Sequence, residues 1–136
     1  MTRDCEPMEK AARICARIAD DKKADAILVL NVREIFGIAD YFVICTVHSK
    51  PQARAIADEI EKQLKAEGFS HIGTEGRDEA SWVLLDYGGV VVHVFMPETR
   101  NYYQIEMLWG DAPRFEWKED GEGITGSEDG ARSRRE

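Results

Sequence analysis

Trp82-Val83-Leu84-Leu85-Asp86-Tyr87-Gly88-Gly89-Val90-Val91-Val92-His93-Val94-Phe95 is the stretch that decides the fold. Two runs rich in β-branched and aromatic residues flank a pair of glycines. That is the pattern of a tight antiparallel hairpin, with both glycines able to take positive φ. Side chains alternate along a strand. Trp82, Leu84 and Asp86 therefore share one face, and Val83, Leu85 and Tyr87 the other. Across the turn Val91, His93 and Phe95 share a face, and Val90, Val92 and Val94 the opposite one. Each strand thus has one aliphatic-leaning face and one that mixes aromatic, polar and ionisable groups. Such a mixture suits a protein interface, and it suits a core tryptophan with ordinary rim residues equally well.

The hairpin is framed by helical patterns. After it, Pro97 opens a helix with Tyr102, Ile105, Leu108 and Trp109 on one stripe and Gly110 as its stop. Before it, His71 to Glu75 reads as a weak strand and Gly76 to Ala80 as a polar loop. Ser49 caps a second helix, with Pro51 in its first turn and Gln52 at the capping-box position. Ala53, Ile56, Ala57, Ile60 and Leu64 form its buried face, Gly68 its left-handed stop, and Phe69 folds back onto the last turn.

Further upstream, Tyr41 to Val47 is a strand, and Ala26 to Val32 reads as a strand covered on both faces. Arg33 to Asp40, holding Gly37, joins them. Met8, Ala11, Ala12, Cys15, Ile18 and Ala19 form the stripe of a first helix, ended by the charged run Asp20 to Lys23. The order α-β-β-α-β-β-β-α predicts one mixed α/β (α+β) domain over residues 1–117. It has a five-stranded sheet and flanking helices. From Lys118 the hydrophobic pattern is lost, and residues 118–136 read as a disordered acidic, Gly-rich tail.

Composition narrows the function. The chain has 136 residues, 43% hydrophobic and 32% charged, which excludes a fibrous or wholly disordered chain. A net charge of −8 argues against binding nucleic acid or an anionic membrane, and leaves room for a basic protein partner. No apolar run approaches a membrane span, and the acidic N-terminus does not resemble a signal or transit peptide. Cys5, Cys15 and Cys45 form no C-x-x-C, so neither a disulfide framework nor a zinc site is indicated, and a cytoplasmic setting is expected. Cys15 lies on the first helix's stripe and Cys45 inside a strand, so both read as small buried hydrophobes, whereas Cys5 is expected to be exposed.

No catalytic constellation emerges. Gly121-Glu122-Gly123-Ile124-Thr125-Gly126 spells G-x-G-x-x-G, but it joins no strand to a helix and sits among carboxylates that repel phosphate. There is no phosphate-binding loop, no nucleophile elbow, and no D-x-D after a strand and a Gly-Ser turn to hold two Mg²⁺ ions. His48, His71 and His93 are far apart in sequence. His93 reads as a hydrogen-bonded structural or interface histidine ahead of a general base. No metal or cofactor is expected.

The hairpin, followed by Arg100, Tyr102-Tyr103 and Glu106-Met107-Leu108-Trp109-Gly110-Asp111-Ala112-Pro113, resembles the ribosomal silencing factor family, RsfS/Iojap. Ala39-Asp40-Tyr41-Phe42-Val43-Ile44, Ser49, Ala55-Ile56-Ala57-Asp58 and Glu75-Gly76 extend the resemblance over about residues 7–113. The segment after Pro113 is read as lying outside the family pattern. Gly89 stands where the family usually has Asp, a change of turn charge and not of turn geometry. The resemblance implies a nucleotidyltransferase-like fold without its catalytic carboxylates and no enzymatic activity. It implies docking on the large ribosomal subunit, on its fourteenth protein, which blocks joining of the small subunit and represses translation when nutrients are scarce. Carried over by position, the partner-binding residues are Trp82, Leu84, Asp86, Tyr87, His93, Met96, Arg100 and Tyr103. Some family members form homodimers, so self-association through an overlapping patch is also implied. The rival readings are a nucleotide-binding or degenerate nucleotidyltransferase-like protein, which draws on fold analogy alone, and a scaffold acting through the acidic tail.

Overall fold

The computed structural model describes residues 6–34, 39–99 and 112–117. Its elements are α1 (Glu6–Asp21), β1 (Asp25–Asn31), β2 (Tyr41–Thr46), α2 (Lys50–Ala66), β3 (Gly73–Glu75), β4 (Trp82–Asp86) and β5 (Val90–Phe95). The five strands form one mixed sheet in the order β1-β2-β5-β4-β3. β2 and β5 run parallel, and the other three pairings are antiparallel. Residues 97–99 are helical; the rest of the expected last helix and the tail lie outside the described residues, as does Cys5.

β2 is buried along its whole length. Its alternate side chains enter two different clusters. Tyr41, Val43 and Cys45, with Val47 just past the strand, join α1, α2 and the inward residues of β4 and β5 in the larger core. Phe42 and Ile44 join Leu30, Val32 and Phe95 on the opposite face. Burying a side chain of this size contributes about 1.5–3 kcal/mol, so the central strands hold both faces in register.

The buried stripe of α1 is built largely from alanines (Ala11, Ala12, Ala16 and Ala19) with Cys15 and Ile18, so the helix backbone lies close to the sheet. α1 ends where Lys23 takes a φ of 74° and the Ala24 N–H donates to the Ala19 carbonyl at 2.9 Å. In α2, Ser49 Oγ accepts from the Gln52 N–H at 3.1 Å, and the Gln52 side chain accepts the His48 N–H at 2.7 Å. Gly68, at φ 92°, closes the helix, and the Phe69 N–H donates to the Leu64 carbonyl at 2.9 Å.

Three expectations need correction. β1 is covered on both faces only in its second half: Val29 is buried in the larger core and Leu30 in the cluster on the opposite face, while Asp25 to Leu28 stay at least partly exposed at the edge of the sheet. A register break between Asp25 and Leu28, with Ala26 at φ 50°, also lifts its first half out of the core. The hairpin needs only one left-handed glycine. Gly88 takes φ 81°, and the Gly89 N–H donates back to the Tyr87 carbonyl at 3.0 Å, a three-residue γ-turn. Gly89 serves a different end. A Cβ there would collide with Met8 Sδ of α1 and lie 3.1 Å from an Asp40 carboxylate oxygen. An aspartate at that position would thus change more than charge: Met8 would have to move, and two carboxylates would face each other.

Residues 113–115 lie along the open side of β1. The Asn31 N–H donates to the Pro113 carbonyl at 2.8 Å, the Phe115 N–H donates to the Val29 carbonyl at 2.7 Å, and Leu30 bridges Arg114. The Arg13 guanidinium of α1 sits 4.8 Å over the Phe115 ring and donates to the Trp117 carbonyl at 2.9 Å. These contacts cover an edge that would otherwise present unpaired backbone groups. Ending the chain at Pro113 is expected to lower stability by about 1–3 kcal/mol relative to ending it at Trp117. Equal midpoints in chemical denaturation would show that residues 114–117 do not hold the edge.

Candidate functional site

Alternation along β4 fixes what the hairpin displays. Val83 and Leu85 are buried toward the helices, while Trp82, Leu84 and Asp86 are half-buried on the opposite face. Register then places Phe95 opposite Trp82, His93 opposite Leu84 and Val91 opposite Asp86. Beneath this display β2 contributes Phe42 and Ile44, and β1 contributes Leu28 and Leu30. What this face leaves partly open is Trp82, Leu84, Asp86, Val91 and Leu28, while Phe42, Ile44, Phe95, Leu30 and His93 are buried.

His93 is only 4% exposed, sunk among rings. Phe42 meets it edge-on at 5.0 Å, and Phe95 lies parallel to it at 6.0 Å. The Trp82 indole N–H donates to His93 Nδ1 at 3.3 Å. An indole can only donate, so Nδ1 is an acceptor and the ring proton belongs on Nε2. Burial pushes the imidazole down to about 4, so it is neutral near pH 7. Trp82 also packs on Phe95, with ring centroids 4.9 Å apart. Asp86 accepts the Gly88 N–H at 2.8 Å, so its carboxylate helps close the turn.

The structure brings Trp82, Leu84, Asp86 and His93 together and sends two other expected partner residues elsewhere. Tyr87 lies on the helix-covered face, 6% exposed, with its ring stacked 5.0 Å from His71. Its hydroxyl is buried with no hydrogen-bond partner, and burial, followed by the charges of Glu61 and Cys15, pushes the phenol up to about 12. Met96 packs against the same helix-side core. Both follow from strand alternation: each is one residue beyond a neighbour that faces the other way. Arg100 and Tyr103 lie outside the described residues.

Sequence reasoning missed how the start of β4 is held. Arg54 of α2 donates to the carbonyls of Arg77 at 3.2 Å and Asp78 at 2.5 Å. Arg77 pairs in return with Asp58, and with Glu61 at 3.5 Å. A Cβ on Gly76 would collide with the Trp82 carbonyl, so only glycine allows the loop to pass there. Backbone carbonyls are invisible in a side-chain pattern, and only the glycine left a trace.

Among the described residues, the remaining reactive groups form no catalytic set. Burial pushes the Cys15 thiol up, with Cys45 adding to it, so Cys15 is a poor nucleophile. His48 pairs with Asp25 at 2.5 Å on the surface. His71 meets Thr74 Oγ1 at 2.6 Å, and that hydroxyl donates to Glu61 at 3.1 Å. No group of three or more potential ligands that could hold a metal occurs among the described residues. No helix among them is long and apolar enough to cross a membrane.

A half-exposed aromatic face on a mixed sheet, with rings and no ligand cluster beneath it, is an arrangement suited to binding. Comparison with known proteins gives that arrangement a family. A family model described as "Ribosomal silencing factor during starvation" matches residues 5–136. It runs past Pro113, where the resemblance had been expected to stop. The "Ribosomal silencing factor RsfS" of Bacillus subtilis is 50% identical over 101 residues, 74% of this chain and 86% of that protein. Mouse "Mitochondrial assembly of ribosomal large subunit protein 1" is 33% identical over 91 residues, 65% of this chain and 40% of that protein. A crystal structure of a Chromobacterium violaceum protein superposes with a TM-score of 0.71 at 34% identity, covering 74% of this chain and 84% of that one. The chain belongs to the RsfS ribosomal silencing factor family, a family of ribosome-associated translation regulators.

His93 makes stability depend on pH. An unfolded histidine takes up its proton near 6.5, whereas the folded site does so only near about 4. Between those values the unfolded chain binds more protons. The stability present above the first value is therefore lost as pH falls toward the second, by about 3 kcal/mol in all. Denaturant titrations of wild type and His93→Phe at pH 7 and pH 4.5 are expected to differ by most of that amount. Parallel pH dependence in the two would contradict the buried neutral imidazole.

Proposed function

We propose that this protein acts in the cytoplasm without catalysis, binding the large ribosomal subunit on its fourteenth protein and blocking small-subunit joining by occupying space. Translation would fall under nutrient limitation as a result. The observation that carries the proposal is the half-buried Trp82 beside Leu84 and Asp86 on the sheet face opposite α1 and α2, in a member of a ribosomal silencing family. A desolvated tryptophan at the centre of an interface is a frequent source of binding energy. The net charge of −8 favours encounter with a basic ribosomal protein and disfavours bare RNA. Of the expected partner residues, Trp82, Leu84 and Asp86 take the contact, with His93 beneath them. Tyr87 and Met96 support the sheet from its other side. Arg100 and Tyr103 keep their proposed contact role on the family resemblance alone. Self-association would use the same face and would compete with the ribosome.

Co-sedimentation with separated subunits, followed by a joining assay, tests this. Wild-type protein is expected to pellet with the large subunit alone and to reduce joined ribosomes. Trp82→Ala is expected to weaken that binding by about tenfold or more, equivalent to ~1.4 kcal/mol. Trp82 also rests on Phe95, so its thermal melt is the control and Leu84→Arg is the second variant. Binding that survives both substitutions in folded protein would place the contact elsewhere.

A further inference from the structure

We propose that His93 is a positioning residue for Trp82: by accepting the indole N–H from below, it fixes the ring so that its hydrocarbon edge is what a partner meets. The inference rests on the ribosome-contact reading of this face. Trp82 and His93 lie on neighbouring strands of the hairpin, and their side chains share a face. The donor–acceptor distance is 3.3 Å. Phe42 and Phe95 hold the imidazole at 5.0 and 6.0 Å, so the acceptor itself has little room to turn. Phe95 also supports the indole at 4.9 Å. The tryptophan is thus held from two sides.

The chemistry of position 93 points the same way. Burying an imidazole among phenylalanines costs more than burying another phenylalanine, because its polar atoms leave water. What the imidazole has and a phenylalanine lacks is an acceptor, and Nδ1 is the atom that meets Trp82. Interface tryptophans commonly use the N–H as a polar handle toward the partner. Here the handle points inward. The partner's receiving pocket is therefore apolar in kind, shaped for an indole edge and needing no acceptor for this ring. Fixing the ring before contact also removes part of the ordering cost of binding.

Single substitutions in the full chain test the assignment. His93→Phe keeps a flat ring and removes the acceptor. His93→Asn keeps an acceptor at the Nδ1 position and removes the ring. Trp82→Phe identifies the Trp82 indole resonance in ¹H–¹⁵N spectra by its disappearance. In His93→Phe that resonance is expected to shift and exchange faster with water, and large-subunit affinity to fall about fivefold. In His93→Asn the resonance is expected to stay near its wild-type position and affinity within about twofold of wild type. An unchanged resonance and affinity in His93→Phe would overturn the proposal. Equal loss of affinity in both variants would also overturn it, because packing alone would then explain the position. Wild-type protein supplies a readout free of folding defects: a Trp82 indole that exchanges like an exposed one overturns the hydrogen bond. Wild-type protein that binds neither subunit contradicts the ribosome reading instead, and the spectra of the unbound protein distinguish that failure from the absence of the bond.

Discussion

Two-sided burial of the parallel β2–β5 pair is the constraint on which the rest of the molecule depends. Every residue of β2 is buried, and five of the six residues of β5 are, so the centre of the sheet must be covered on both faces. α1 and α2 cover one of them. The alanine-rich stripe of α1 and the Ala, Ile and Leu stripe of α2 join Val43, Cys45, Val92 and Val94 in one core. The opposite face then gathers Phe42, Ile44 and Phe95 into a second cluster, with Trp82 and Val91 only partly buried at its margin. The proposed binding surface is thus the outer part of a core and not an addition to a finished domain. On that proposal, Trp82 would combine a structural role with contact, and the buried His93 would bear on contact only through it.

Much of this was legible in the sequence because it follows from periodicity. The alanine and isoleucine stripes of α1 and α2, the cap at Ser49 and the stop at Gly68 are local signals, and local signals are read directly. The two-residue period of the hairpin sorted Trp82, Leu84, Asp86 and His93 from Val83, Leu85, Val92 and Val94 without any knowledge of what lay across from them. What periodicity does not encode is strand order. The run Ala26 to Val32 is apolar enough for a central strand, yet β1 lies outermost, with residues 113–115 along its free side. Its apolar side chains divide between the two clusters, Val29 in the larger and Leu30 in the second, and its outer edge takes the return of the chain; neither leaves a local mark.

For the proposed site, the sequence indicated which strand face each hairpin side chain takes and left open how deep it lies. A roll of residues carried over from a family records positions and not directions. Tyr87 and Met96 are sequence neighbours of the proposed contact face that point away from it, which the same alternation rule could have settled. His93 lies on the same face as Trp82 but deeper, and its depth depends on Phe42, a residue of a different strand brought alongside by the parallel pairing. The Arg54 tether to the loop before β4 is a contact with backbone carbonyls, so no pattern of side chains announces it. Long-range pairing and backbone acceptors are thus where sequence reasoning loses sight of a site of this kind.

The central claim is that the sheet face bearing Trp82 and Leu84, and not the helical face, meets the ribosome. Hydroxyl-radical footprinting of the protein, alone and with purified large subunits, measures this directly through side-chain oxidation rates. The account predicts that Trp82 and Leu84 lose reactivity on adding the large subunit, while exposed residues of α2 such as Lys62 and Lys65 keep theirs. Protection of α2 with Trp82 still reactive would contradict it.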